Sequence, residues 1–284
     1  MVAEIYEDNT TTQNIYKYNN GYLFIDKYEA LYSLAKDAKN NTAAMQCFYN
    51  ALFSTNEFLQ EYALNLISNM NIEKSDTQMV RTINFLALSD DETPEIRVEA
   101  LRTLDVIAPL KVEAATTQML KKDQSLMCQM EALEYLTIFN YNKAYNFSEK
   151  YKDRDEPIVL TALCKIYKDT TVNHLETFKK AIWLNNYHTA RSNFIYFAQY
   201  LQKQDKAQIQ EALLFLKDIN LYEESDFNID GAVDCVDYLS QYFAKQLKDK
   251  KASEEERSNA KQILQNIIDI KKTMKVNIKT FSYH

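Results

Sequence analysis

Along residues 88–107, LSDDETPEIRVEALRTLDVI, a polar turn gives way to apolar positions spaced three and four apart. That spacing puts Ile96, Ala100, Leu104 and Ile107 on one side of a 3.6-residue helix. The same order recurs along the chain. Tyr28-Glu29-Ala30-Leu31 and Glu61-Tyr62-Ala63-Leu64 precede Val98-Glu99-Ala100-Leu101, while Met130-Glu131-Ala132-Leu133 and Leu160-Thr161-Ala162-Leu163 follow it. The alanines stand at 30, 63, 100, 132 and 162, so the steps are 33, 37, 32 and 30 residues. Steps of that length mark one helical pair in a stack. On the same face the second copy carries Leu59, Ile67 and Met70, and the fourth Cys128, Leu136 and Phe139. The fifth keeps Ile158 and Ile166 but ends on Asp169; the first, an end copy, has Asp26, Leu34 and Asp37. Alanine at the centre lets neighbouring helices approach closely, where a larger side chain would overpack the stack.

Polar turns precede these helices at Asn56, Asp90-Asp91, Asp123 and Asp153 to Asp155. Thr93-Pro94 is a good helix start, since threonine caps and proline lacks the N–H that would be orphaned. Partner helices are predicted over 42–53, 75–88 and 112–121. Beyond 170 the motif fades, but 175–184, 190–202, 207–219, 232–247 and 254–273 still read as helices. Residues 2–18, VAEIYEDNTTTQNIYKY, read differently. Two runs rich in Ile, Tyr and Val flank a polar stretch, which predicts a β-hairpin closed off by Asn19-Asn20-Gly21. The repeat is of the HEAT type, in which a second helix opens with a turn acid and often an arginine; Arg97 alone supplies that arginine. The expected fold is therefore all-α: a right-handed α-α superhelix of HEAT- or armadillo-like repeats over 22–284, preceded by a hairpin over 1–21.

Composition sharpens this picture. Two glycines and three prolines in 284 residues leave little for sheets and α/β loops. A net charge of −7 argues against nucleic acid as partner, which asks for a basic footprint. The stretch 271–284 holds four lysines and no acid and reads as a solvated, fraying tail. Cys47, Cys128, Cys164 and Cys235 form no C-x-x-C pair and read as reduced core residues. No run approaches the roughly 20 apolar residues of a membrane span. The start, MVAEIYEDN, carries no signal-peptide pattern. Taken literally that is cytoplasmic, but a fragment would have lost any signal, so the compartment stays open.

Motifs for chemistry are missing. H-E-x-x-H, which would set two zinc ligands one turn apart, is absent. His174, His188 and His284 read as surface or capping residues, and two glycines leave no phosphate-cradling loop. No catalytic, cofactor-binding or metal-ligating residue is expected. Asp226 to Asp237, DFNIDGAVDCVD, places Asp226, Asn228, Asp230, Gly231, Val233 and Asp234 as a calcium loop does. Asp237, however, stands where a glutamate supplies bidentate ligation, and Phe227 and Ile229 are apolar for such a loop. The preferred reading is a polar turn in which Asp230 or Gly231 starts a helix from Ala232. The 34 Tyr and Phe residues and Trp183 could line a peptide or glycan groove. Helical spacing, as in Phe194, Phe197 and Leu201, favours core packing instead.

Tyr16-Lys17-Tyr18 runs on to Ile25-Asp26-Lys27-Tyr28-Glu29-Ala30-Leu31, then to Asn56-Glu57-Phe58-Leu59 and Asp91 to Arg97. In this order, residues 2 to about 140 resemble the C-terminal region of aminopeptidase N-like zinc metallopeptidases of the gluzincin family, especially large bacterial members with a HEAT-like tail. Lys27 stands in place of the family's arginine, and its tryptophan is missing. The resemblance implies a non-catalytic C-terminal accessory domain that packs against a peptidase domain and shapes substrate access. Its partners would be the absent N-terminal peptidase and β-domains, with a peptide substrate near the concave face and zinc only in that absent part. The alternative is a free-standing HEAT-like scaffold that binds a protein or peptide. The hairpin separates the two, because a free-standing solenoid has little use for an orphan strand pair. In the first reading, residues 2–18 are the torn edge of a sheet.

Overall fold

The computed structural model describes residues 2–70, 77–184, 189–223 and 225–274. These form fifteen α-helices and one short 3-10 turn, with no strand among the described residues. None of the described helices is long and apolar enough to cross a membrane. The contacts gather into two units, residues 1–140 and 141–284.

The first unit contains α1 (Val2–Asn20), α2 (Phe24–Leu34), α3 (Thr42–Leu52), α4 (Glu57–Asn69), α5 (Thr77–Leu88), α6 (Pro94–Ile107), α7 (Pro109–Lys122) and α8 (Leu126–Phe139). Neighbours pack in pairs, α1 with α2 through α7 with α8. The second members then touch in series, α2 on α4, α4 on α6 and α6 on α8; among the first members α1 meets α3 and α5 meets α7. The result is two layers of helices. Ala30, Ala63, Ala100 and Ala132 all lie in the second layer with no exposed surface, at the level where these helices close on one another. Helix starts are set locally. The side chains of Asn56, Thr93 and Ser125 accept hydrogen bonds from the amides of Leu59, Ile96 and Cys128, each contributing about 1 kcal/mol.

Carbonyls orphaned at helix ends are met by side chains from the next helix. Gln60 donates to the Leu52 carbonyl at 2.9 Å and Gln129 to the Asp123 carbonyl at 2.6 Å. Gln60 and Arg97 each stand three residues before their alanine, and each also reaches the turn acid of the following pair. Gln60 donates to Glu92 at 3.0 Å, and Arg97 pairs with Asp123 at 3.2 Å. Both partners in the second contact are buried. The residue read as a HEAT-like arginine is thus a tie between successive pairs.

The hairpin expected over 1–21 is an α-helix, α1, packed against α2 and α3. Its inward positions include Thr11, Asn14, Ile15 and Tyr18, spaced three, one and three apart, which is one helix face. Thr11 donates to Asp37 at 2.8 Å, and Tyr18 is buried. Tertiary packing has overridden the strand preference of the Thr, Ile and Tyr residues. There is accordingly no torn sheet edge here. Gly21 ends α1, its amide donating to the Lys17 carbonyl at 2.8 Å. A Cβ there would stand 2.6 Å from that oxygen.

The second unit holds α9 (Tyr141–Ser148), α10 (Pro157–Tyr167), α11 (Leu175–Trp183), α12 (Ala190–Leu201), α13 (Lys206–Tyr222), α14 (Asp226–Lys248) and α15 (Glu254–Lys271). It repeats the two-layer scheme, with α10 on α12 on α14, and α11 on α13 on α15. Ala162 is buried in α10. Asn193 donates to the Ala181 carbonyl at 3.2 Å, in the manner of Gln60 and Gln129. Ser253 and Glu256 close a capping box on α15.

The polar turn expected over 226–231 is the first part of a helix. Helix α14 begins at Asp226, six residues earlier than the start expected at Ala232. Asp226, Asn228 and Asp230 therefore occupy a helix, where residues two apart point away from each other and do not converge on one ion. Gly231 serves packing instead. A Cβ there would fall 2.2 Å from a ring carbon of Phe194, so glycine lets α14 lie close against α12.

Candidate functional site

The exposed side of the second layer in the first unit carries the most distinctive surface. The rings of Tyr28 on α2 and Tyr62 on α4 stack at 3.6 Å between centroids and 17° between planes. Phe24 adds a tilted contact to Tyr28 at 5.9 Å. Nearby on the same helices, Tyr32 is 62% exposed and Phe58 is 75% exposed. Ring pairs of this kind add about 0.5–1.5 kcal/mol beyond burial, but these rings sit at one and two residues before the central alanine, beside the buried stripe. Partial burial first, and then the Tyr28 hydroxyl, push the Tyr62 hydroxyl well above the ordinary tyrosine range.

The surface changes character towards α6 and α8. Arg102 donates to Glu131 at 2.9 Å and lies 3.6 Å from Glu99, clipping one pair to the next. Burial, and then the carboxylates of Asp105 and Glu131, push the Tyr135 hydroxyl up to about 12. At the other end Lys17 of α1 pairs with Glu29 at 2.6 Å and with Asp26 at 3.7 Å. A shallow hollow of about 260 Å³ opens past the end of α2, lined by Tyr32, Lys36, Lys39, Leu66 and Met70 among others.

A second cluster lies in the second unit. His174, at the position before α11, stacks on Tyr167 at 3.6 Å and 8°. Its Nε2 lies 3.0 Å from the Tyr145 hydroxyl, and its own amide donates to the Tyr200 hydroxyl at 2.9 Å. Ser148 donates to the Tyr145 carbonyl at 2.7 Å and sits 3.3 Å from the Tyr167 hydroxyl. Phe178 continues the column, stacked on Tyr200 at 4.6 Å and on Phe197 at 5.4 Å. Burial pushes the His174 imidazolium below its ordinary pKa. Every polar group named here is turned onto another within the cluster. The arrangement is a packed joint between α9, α10, α11 and α12.

His174 thus caps by position while its ring packs. His188 and His284 lie outside the described residues. Cys47, Cys128, Cys164 and Cys235 are free and buried, each in a different helix. Phe194, Phe197 and Leu201 are buried together on α12, as core packing requires. Among the described residues no group of three or more His, Cys, Asp or Glu is placed to hold a metal ion. The aromatic surface over α2 and α4 departs from the sequence expectation, which takes the aromatic residues as core. The signal is present nonetheless, because Tyr28 and Tyr62 sit beside the echo alanines and off the apolar stripe.

The fold and its surface define an all-helical protein built from repeated helix pairs. The chain matches no protein-family model and no curated protein sequence.

Proposed function

We propose that this chain is a non-catalytic helical-repeat scaffold that binds a protein or peptide partner on the exposed side of α2, α4, α6 and α8. The observation that carries this reading is the Tyr28–Tyr62 stack, which joins two successive pairs on the surface while leaving Tyr32 and Phe58 largely exposed. Rigid rings on a helical platform give contact area at low entropic cost, as at many binding surfaces. With this reading goes the finer expectation of a right-handed, HEAT-like turn from pair to pair within each unit.

Selection of displayed peptides against the full chain tests the proposal. Selected binders should lose at least tenfold in affinity against Tyr28→Ser/Tyr62→Ser, with the melting temperature of that variant recorded alongside. Binders that ignore the substitution while the fold is intact would remove this surface from the proposal.

The rival reading is a C-terminal accessory domain of an aminopeptidase N-like zinc metallopeptidase. It keeps the ordered echoes at Ile25 to Leu31, Asn56 to Leu59 and Asp91 to Arg97, which open successive second-layer helices. It loses the strand pair that favoured it, since that segment is α1. Both readings expect the purified chain to hydrolyse no aminoacyl substrate. A rate that is removed by chelator and restored by zinc would overturn both.

A further inference from the structure

The charge on the proposed surface selects the chemistry of the partner, an inference that rests on the scaffold reading. Helices α2, α4, α6 and α8 carry nine acidic and three basic residues. All three basic residues are already engaged. Lys27 lies over the Tyr18 ring at 5.7 Å, Arg97 is buried against Asp123, and Arg102 is held by Glu131 and Glu99. Glu57, Glu61 and Glu95 are exposed and have no ion-pair or hydrogen-bond partner among the described residues. They stand in the N-terminal halves of α4, which carries Tyr62, and of α6 beside it.

Carboxylates near helix starts have an ordinary explanation in the helix dipole. The magnitudes decide against that explanation being sufficient. Each helix start offers about half a positive charge, which fades within the first turn. Glu57 and Glu95 fall within first turns, but Glu61 lies beyond its own, and α4 carries Glu57 and Glu61 with no basic residue to offset them. Aromatic faces bordered by unpaired carboxylates attract cations twice, by the ring quadrupole and by charge. Lys17 already pairs with Asp26 and Glu29 of α2, and Lys36 and Lys39 line the hollow past its end, which confines this preference to the starts of α4 and α6.

We propose that this face binds a basic, partly apolar peptide segment of a partner protein, its arginines or lysines set against Glu57, Glu61 and Glu95 and its apolar residues on Tyr28, Tyr62 and Phe58. The test uses the full chain and three fluorescein-labelled twelve-residue peptides combining leucine with arginine, with serine or with glutamate. Fluorescence anisotropy should show the arginine peptide binding at least tenfold more tightly than the other two. Glu57→Lys/Glu61→Lys/Glu95→Lys should remove at least tenfold of that affinity, and so should Tyr28→Ser/Tyr62→Ser. Asp218→Lys on α13, an exposed site elsewhere, should leave it within twofold. Equal loss with Asp218→Lys would mean a diffuse charge effect and overturn the proposal. A serine or glutamate peptide that binds as well as the arginine peptide, and is released by the tyrosine substitutions, would overturn the charge inference while keeping the scaffold reading. If no peptide responds to the tyrosine substitutions, both fall. Light scattering that shows a dimer dissolved by the triple lysine variant would make a second copy the occupant and overturn the foreign partner. Circular dichroism melts of the triple variant, whose three sites are exposed, keep the test independent of folding.

Discussion

The two units are built to one plan and differ in what they bury between successive pairs. In residues 1–140 the successive pairs are tied by polar side chains reaching from helix to turn: Gln60 to Glu92, Arg97 to Asp123, Arg102 to Glu131. In residues 141–284 exposed ion pairs also link successive helices, Lys179 to Glu211 and Lys203 to Asp169, but the buried joint is a column of rings, from Tyr145 through Tyr167 and His174 to Tyr200, Phe178 and Phe197. Charge divides the same way. The first 140 residues hold 20 acidic and 11 basic residues, the remainder 20 and 22. The contrast teaches that a two-layer stack tolerates either kind of buried tie between successive pairs.

Substitution of the ties should sharpen this contrast. Asp123→Ala leaves the buried Arg97 guanidinium only the exposed Asp90 carboxylate at 3.6 Å, and should cost about 3 kcal/mol in the denaturant midpoint. Arg97→Met/Asp123→Leu, which removes both charges, should recover most of that loss. In the second unit Phe178→Ala empties a fully buried ring position and should also cost about 3–5 kcal/mol, with no double substitution by charge able to restore it. If Asp123→Ala proves neutral, the polar tie is ornamental and the contrast fails.

Close helix approach should be the next most sensitive feature, and common to both units. Ala100→Leu overpacks the α4–α6–α8 layer, and Gly231→Ala drives a methyl into the Phe194 ring; each should destabilise by about 1–3 kcal/mol. An unchanged midpoint for Ala100→Leu would break the alignment of the repeats.

The smallest expected effect is a pH dependence confined to the second unit. His174 has its pKa lowered from 6.5, first by burial and against the pull of Glu149. Below 6.5 the unfolded chain therefore binds more protons at this residue than the folded one, so its contribution to stability is complete above that pH. The contribution is lost as pH falls from 6.5 through the folded value. His174→Gln should flatten the slope of stability against pH in that window, measured by urea titration at successive pH values. An unaltered slope would mean that other groups carry it.

The repeat was legible because alanine is a conspicuous choice at the centre of an apolar stripe. The five echoes locate α2, α4, α6, α8 and α10, and Thr93-Pro94 marks the start of α6 within one residue. Two helices escaped for physical reasons. The buried side of α1 includes Thr11 and Asn14, so its period of 3.6 is hidden under residues that favour strands or turns. Helix α9 is eight residues long with only Ala144 and Ser148 buried, too short for a period to show. The acidic run at 226–237 misled because a calcium loop and a helix N-terminus both favour Asp and Asn, and only the close approach of Phe194 reveals why glycine stands at 231. The exposed aromatic surface was hidden for a related reason. Composition shows many aromatic residues, but only the offset from each alanine tells a core ring from an exposed one.

The main packing partners of the described helices in each unit lie one or two places away in the chain, and this has a bearing on how the protein comes into being. Contacts between near neighbours close short loops, which keeps the entropic cost of forming them low and favours rapid folding. On the ribosome the partners that pack α1–α4, which reach no further than α6, are all made before α9 is translated. Synthesis and folding can therefore proceed in step, each new pair finding the preceding one as a finished template.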